Sequence, residues 1–154
     1  MNLLAPNFTL AELTVSQTGT RLGLDNTPTP EIIGNLRGVA TRILQPVRDH
    51  YGKPVMVYSG YRSPKVNAAC KGAKHSQHML GQAADFVIHG LPNAELASWI
   101  FHNLKFDQLI LEFNSPTDPY AGWVHCSWVP AGRQQYLAAA RGAFGVTKYT
   151  TVVT

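Results

Sequence analysis

The sequence predicts an α+β domain in which a mostly antiparallel sheet packs against helices. Three observations carry this expectation. Apolar residues from Ile32 to Val47 recur with helical spacing. Short apolar or β-branched runs of strand length recur at Val55–Ser59, Gln82–Ile88, Gln108–Phe113 and Trp123–Trp128. Their order is helix, strand, helix, strand, helix, hairpin, which suits helices on a sheet whose late strands pair antiparallel.

Residues 1–28 contain short pieces, and Leu10 to Leu13 is their best candidate for a helical turn. Asn26 to Pro30 reads as a loop that ends in a helix start. Thr29 can cap the next helix, and Pro30 is tolerated in its first turn because that N–H has no helical partner anyway. Ile32, Ile33, Leu36, Val39, Ile43, Leu44 and Val47 then form the apolar face of the main core helix, which runs to about Tyr51. Pro46 should kink or divide this helix near its end, and Gly52 should stop it.

Val55 to Ser59 reads as a core strand delivering Gly60-Tyr61-Arg62-Ser63 to a loop or sheet edge. Ser63-Pro64 begins a short helix to about Cys70, followed by a basic turn from Lys71 to Lys74. Ser76 to Leu80 is a loop or turn before the Gln82–Ile88 strand. Asn93 is placed to cap a helix containing Leu96, Ala97, Ile100, Phe101 and Leu104. Gln108–Phe113 and Trp123–Trp128 flank a Pro-, Thr- and Asp-containing loop, residues 114–122. The tail from Arg133 is ambiguous: Gln135 to Ala140 suits helix or edge strand, and Tyr149 to Val153 reads as strand.

The 154 residues suit one domain, 1–154, long enough to bury a core. The formal net charge of +4 suits an anionic partner such as a bacterial wall. No basic run with interleaved aromatics is present, so nucleic-acid binding is not expected. No stretch is long and apolar enough for membrane insertion, and the start, Met1 to Pro6, lacks the pattern of a signal peptide. Cys70 and Cys126 are too few for a disulfide framework and read as reduced thiols. The chain is expected to act as a monomer.

Ser76-Gln77-His78-Met79-Leu80-Gly81-Gln82-Ala83-Ala84-Asp85 is the stretch with chemistry in it. It sets a histidine and a carboxylate seven residues apart, with Gly81 allowing a backbone path that a side chain would obstruct. His78 in the turn and Asp85 in the strand can converge, and His125 in Trp123–Trp128 offers a third ligand. His/Asp/His with one open position is the composition of a catalytic zinc site, since structural sites close all four positions and favour Cys. An unpaired carboxylate ahead of Phe86-Val87-Ile88 would be costly to bury, which also favours a metal. His75 is the rival ligand. Cys126 alternates to the strand face opposite His125, Trp123 and Ser127.

The pattern S-x-H-x-x-G-x-A-x-D, followed by W-V-H in a late strand and preceded by Ser59-Gly60-Tyr61-Arg62-Ser63, resembles the M15 zinc peptidases. That family contains D-alanyl-D-alanine carboxypeptidases and phage endolysins of the L-alanyl-D-glutamate peptidase type. The resemblance spans roughly Phe8 to Thr150. It implies a fold like that of Hedgehog and the D-Ala-D-Ala peptidases, Zn2+ on His78, Asp85 and His125, and substrate handling by Arg62 and Ser76. Many members carry an acidic residue three positions before the last histidine, where this chain has Gly122.

The general base must then come from elsewhere. Glu112 interrupts the apolar strand Leu109–Phe113, where a carboxylate needs a partner or a task. If the hairpin pairs residue 112 with 125, Glu112 sits beside the metal, ready to take a proton from the attacking water. An edge glutamate facing solvent is the plainer reading. Asp118 is the alternative base, and Asp107 suits a turn. Arg62 can be a surface arginine or, after a strand and a Gly-Tyr turn, a fixed fork for a substrate carboxylate. Ser76 can donate to substrate or simply form a turn.

The expected activity is zinc-dependent cleavage of peptidoglycan stem peptides, as in a phage endolysin released through a holin to act at the cell wall. The alternatives are a D-alanyl-D-alanine carboxypeptidase and a non-catalytic, zinc-bearing wall-binding domain.

Overall fold

The computed structural model describes residues Asn2 to Val153; Met1 and Thr154, the ends of the expected domain, lie outside it. β1 (Leu3–Ala5) and β2 (Phe8–Thr9) form a small hairpin that no sequence signal announced. α1 (Leu10–Thr14) follows at once, closed by a capping box in which Thr9 and Glu12 satisfy each other's backbone N–H groups. α2 (Gln17–Leu22) is capped by Ser16.

The main helix begins where its caps dictate. The Thr29 hydroxyl accepts from Ile32 N–H, and Pro30 opens α3 (Pro30–Val39). The expected disturbance at Pro46 takes the form of a wide turn over Ala40–Leu44, in which Gln45 N–H donates back five residues to Ala40. Pro46 has no N–H to donate, and its ring would strike the carbonyl four residues earlier, so the helix widens before it. α4 (Gln45–Tyr51) then ends at Gly52 in the left-handed conformation.

β3 (Met56–Ser59) leads into α5 (Pro64–Ala69), capped by Ser63, then into a 3-10 turn over Gln77–Leu80 and into β4 (Ala83–Val87). α6 (Asn93–Asn103) precedes β5 (Gln108–Glu112), β6 (Trp123–Ser127), β7 (Gln135–Arg141) and β8 (Thr147–Thr151). Asn93 does not cap α6. Pro92 holds that position, and the Asn93 side chain is buried, donating to the carbonyls of Tyr120 and Ala121 in the loop before β6.

The main sheet has six strands in the order β3-β4-β6-β5-β7-β8. Every neighbouring pair is antiparallel except β5 and β7, which run parallel. The ambiguous tail is therefore strand in both of its parts. β3 is an edge strand, not a core strand: alternate residues are exposed, and β4 is its one partner in the sheet. One face carries Ala84, Phe86, Leu109, Val124 and Cys126 into a core shared with Leu36, Val39, Ile43, Leu44, Leu96 and Ile100 of the helices. Strand alternation puts Asp85, Ile110, Glu112, Trp123 and His125 on the other face. No helix is long and apolar enough to cross a membrane among the described residues.

Candidate metal centre

Asp85 and His125 are direct cross-strand partners in β4 and β6, so their side chains leave the same face side by side. His78 arrives from the 3-10 turn. Ser76 caps that turn by accepting from His78 N–H, and Gly81 closes it in the left-handed conformation, φ +70°. A Cβ on Gly81 would press into the Ile32 carbonyl of α3, so this turn can lie on the helix only with glycine there.

Three atoms converge. His78 Nε2 lies 3.3 Å and His125 Nδ1 2.9 Å from Asp85 Oδ1. Tetrahedral zinc with bonds of about 2.0–2.1 Å separates its ligand atoms by roughly 3.3 Å, the same scale. His78 Nδ1 lies 2.7 Å from the Gly60 carbonyl, which accepts its proton. That bond fixes the ring with Nε2 facing Asp85, the orienting contact usual for a metal-binding imidazole. His78 is 2% and His125 8% exposed, too buried to be ordinary surface histidines. Among the described residues, these three form the one group of His, Cys, Asp or Glu side chains positioned to hold a metal ion.

The electrostatics agree with the donor set. Burial alone would raise the Asp85 carboxyl, but the charge of His78 and the hydrogen bonds from His125 and His78 outweigh it and hold the group well below the ordinary range. Two nitrogens and an ionised oxygen make a borderline-hard site that suits zinc. His75 is exposed and outside the cluster. Cys126 is fully buried on the core face, where burial pushes its thiol upward, and Cys70 is exposed; both are free.

Glu112 shares this face, but its register differs from expectation. It pairs with Trp123, while His125 pairs with Ile110. A slip of two residues keeps side-chain parity, so Glu112 still shares the face of the His-Asp-His cluster, one row along. Burial raises its carboxyl above the ordinary value; Asp85 adds to this, while His125 and Arg62 oppose it. Gly122, at φ +75°, explains why an acid is missing three positions before His125. A Cβ there would collide with the Glu112 carbonyl and with Phe113. Asp118 is exposed and bonds within its own loop to Tyr120 N–H.

Arg62 is half-buried, and its backbone N–H donates to the His78 carbonyl at 3.0 Å, which ties its position to the triad. Its Nη2 lies 3.5 Å from Ser76 Oγ, so Ser76 both caps the His78 turn and braces Arg62. A cleft of about 470 Å³, lined by Ser16, Gln17, Tyr58, Ser59 and Arg62, opens at this edge of the sheet.

Asp107 lies in the bend before β5, as a turn residue would, but sequence reasoning missed the rest of its part. It is 4% exposed and takes a two-pronged ion pair from Arg133, with Nε at 2.9 Å and Nη2 at 3.0 Å. Gln77 also donates to it at 2.9 Å, and Ser127 reaches it at 3.5 Å. Asp107 thus ties the turn bearing His78 to the end of the strand bearing His125. The one available signal was an acid bordering an apolar strand, and nothing local named its partners.

The match to known proteins follows the same residues. No curated protein matches the chain closely enough to count as a relative. The sequence profile of the Peptidase M15 family matches residues 6–127, a span that includes Arg62, Ser76, the His78-Asp85-His125 cluster and Glu112. With most of its length in that match and a His-Asp-His cluster where the motif falls, the chain belongs to the Peptidase M15 family and is a peptidase.

Proposed function

We propose that the chain is a zinc-dependent peptidase that cleaves peptidoglycan stem peptides, in the manner of a phage endolysin acting as a monomer at the bacterial cell wall. The observation that carries this is the convergence of His78 Nε2 and His125 Nδ1 on Asp85 Oδ1 at 3.3 and 2.9 Å, on a sheet face that also holds a carboxylate with a raised pKa. His78, Asp85 and His125 would hold the zinc, which when bound supplies an activated water and polarises the scissile carbonyl.

The chain's own residues do the rest. Glu112, half-buried on the same face, accepts the water's proton and passes it to the leaving amine. Arg62, braced by Ser76 and the His78 carbonyl, grips a peptide carboxylate at the β3 side. Ser76 is close enough to Arg62 to share that contact. The net charge of +4 favours approach to an anionic wall.

The test joins metal analysis to product analysis. Purified protein should carry about one zinc per chain, the content of one such site. Chelation should abolish release of peptides from purified muropeptides, and added zinc should restore it. Mass spectrometry of the products names the bond: internal cleavage supports the endolysin reading, and loss of a terminal D-alanine alone would replace it with a carboxypeptidase. Full cleavage by rigorously metal-free protein would remove zinc from the reaction. Wall binding without any cleavage would make this a recognition domain.

A further inference from the structure

The family match ends at residue 127, yet the sheet continues. β7 and β8 add two strands beyond β5, and their register sets which side chains join the metal face. Glu112 pairs with Ala139, so Ala139 and, two residues on, Arg141 share the face of Glu112 and the triad. Arg141 stands one strand over from β5 and about 7 Å along from the Glu112 row, given a rise of about 3.4 Å per residue.

The guanidinium there lies over an aromatic ring. Its Cζ lies 5.2 Å from the centroid of the Phe113 ring, and that ring meets Trp123 edge-on at 5.5 Å. Trp123 is the cross-strand partner of Glu112, so the line of contacts Trp123–Phe113–Arg141 runs on from the face of the cluster. Phe113 takes a left-handed backbone, φ +54°, which is rare for an aromatic residue, and its N–H donates to the Ala139 carbonyl at 2.8 Å. The strained residue is thus bonded to β7, the strand that carries Arg141. Arg141 has no ion-pair partner among the described residues and is open to solvent. A guanidinium whose contact is with an aromatic ring keeps its N–H donors free for a carboxylate.

Arg62 lies beyond β3 at one side of the triad, and Arg141 lies on β7 at the other. We propose that Arg141 is a second anion anchor of the substrate cleft, gripping a carboxylate of the peptide at the end opposite the one Arg62 holds. The peptide then crosses the metal face from the β3 side to the β7 side, and the enzyme selects peptides with two separated carboxylates. This rests on the stem-peptide reading above and adds to it a specificity determinant outside the family match.

Binding tests it apart from turnover. A synthetic stem peptide is prepared with its carboxylates free and with each converted singly to a carboxamide. Affinities are measured calorimetrically on zinc-loaded protein with the Glu112→Gln change, with and without Arg141→Gln. Amidating one particular carboxylate should weaken binding on the order of tenfold, the scale of one charge-assisted contact. Arg141→Gln should weaken the free peptide equally and abolish the discrimination at that carboxylate alone. Arg141→Lys should restore part of it. Discrimination that survives Arg141→Gln, equal affinity for all forms, or no binding at all would overturn the proposal. Separately, a wild-type enzyme that never cleaves the peptide refutes the stem-peptide reading, whatever the binding pattern shows.

Discussion

Replacing Glu112 with glutamine separates proton transfer from everything else the site does. The side chain keeps nearly its size. Among the described residues no hydrogen bond to its carboxylate contributes to its environment, so the amide loses none. The ligand set is also untouched, because His78, Asp85 and His125 converge without Glu112. Zinc content measured by mass spectrometry should therefore stay at the wild-type value. Stability should hold or rise. Burial lifts the folded-state carboxyl above its ordinary value, which means the ionised form is disfavoured in the folded protein at neutral pH, and glutamine removes that penalty. The thermal midpoint should then equal or exceed that of the wild type. Hydrolysis should fall on the order of 100-fold or more, the scale of a general base, equivalent to about 3 kcal/mol on the barrier. The assay is kcat/KM on a stem peptide with products identified by mass. Full activity in Glu112→Gln, with an inactive Asp118→Asn, would refute the reasoning and move the base to the loop. Loss of zinc would make Glu112 a ligand.

Arg62→Lys keeps the charge and loses the fork, so kcat/KM should drop about tenfold with zinc content unchanged; an unchanged rate for Arg62→Ala would return it to the surface. Gly122→Asp puts an acid where many family members carry one, but its Cβ meets the Glu112 carbonyl at a backbone of φ +75°. It should lower stability by about 3 kcal/mol, read as a fall in the thermal midpoint, and should not rescue Glu112→Gln; rescue would show that position 122 can hold a base. The hydrogen bonds from Arg133 hold the Asp107 carboxyl down to about 2, from an ordinary 3.8, against its burial. A depressed carboxyl stabilises the fold above its unfolded pKa, and that stability is lost as pH falls through the folded one. Acid unfolding should therefore cost about 2 kcal/mol between roughly pH 4 and 2, and Asp107→Asn should flatten this part of the profile; an unchanged profile would deny the pair its role.

What the sequence determined by itself was local. Thr29 and Pro30 start their helix, Pro46 disturbs it and Gly52 ends it, because capping and ring sterics act within one turn. The triad was legible for a related reason. His78 and Asp85 are close in sequence, and strand alternation puts His125 and Cys126 on opposite faces wherever the strand pairs. The same alternation placed Glu112 on the metal face while leaving its row undetermined, because a slip of two residues changes the partner and keeps the face. Tertiary structure decided what depends on distant chain. It put β3 at the sheet edge and β7 parallel to β5, pairings that no neighbouring residue encodes. It turned Asn93 from a cap into a buried tie for the loop before β6, and Asp107 into the knot joining Gln77, Arg133 and Ser127. It also brought Arg141 onto the metal face, because its position follows from Ala139 lying beside Glu112, a contact between residues far apart in the chain whose energy appears only once the sheet has closed around both.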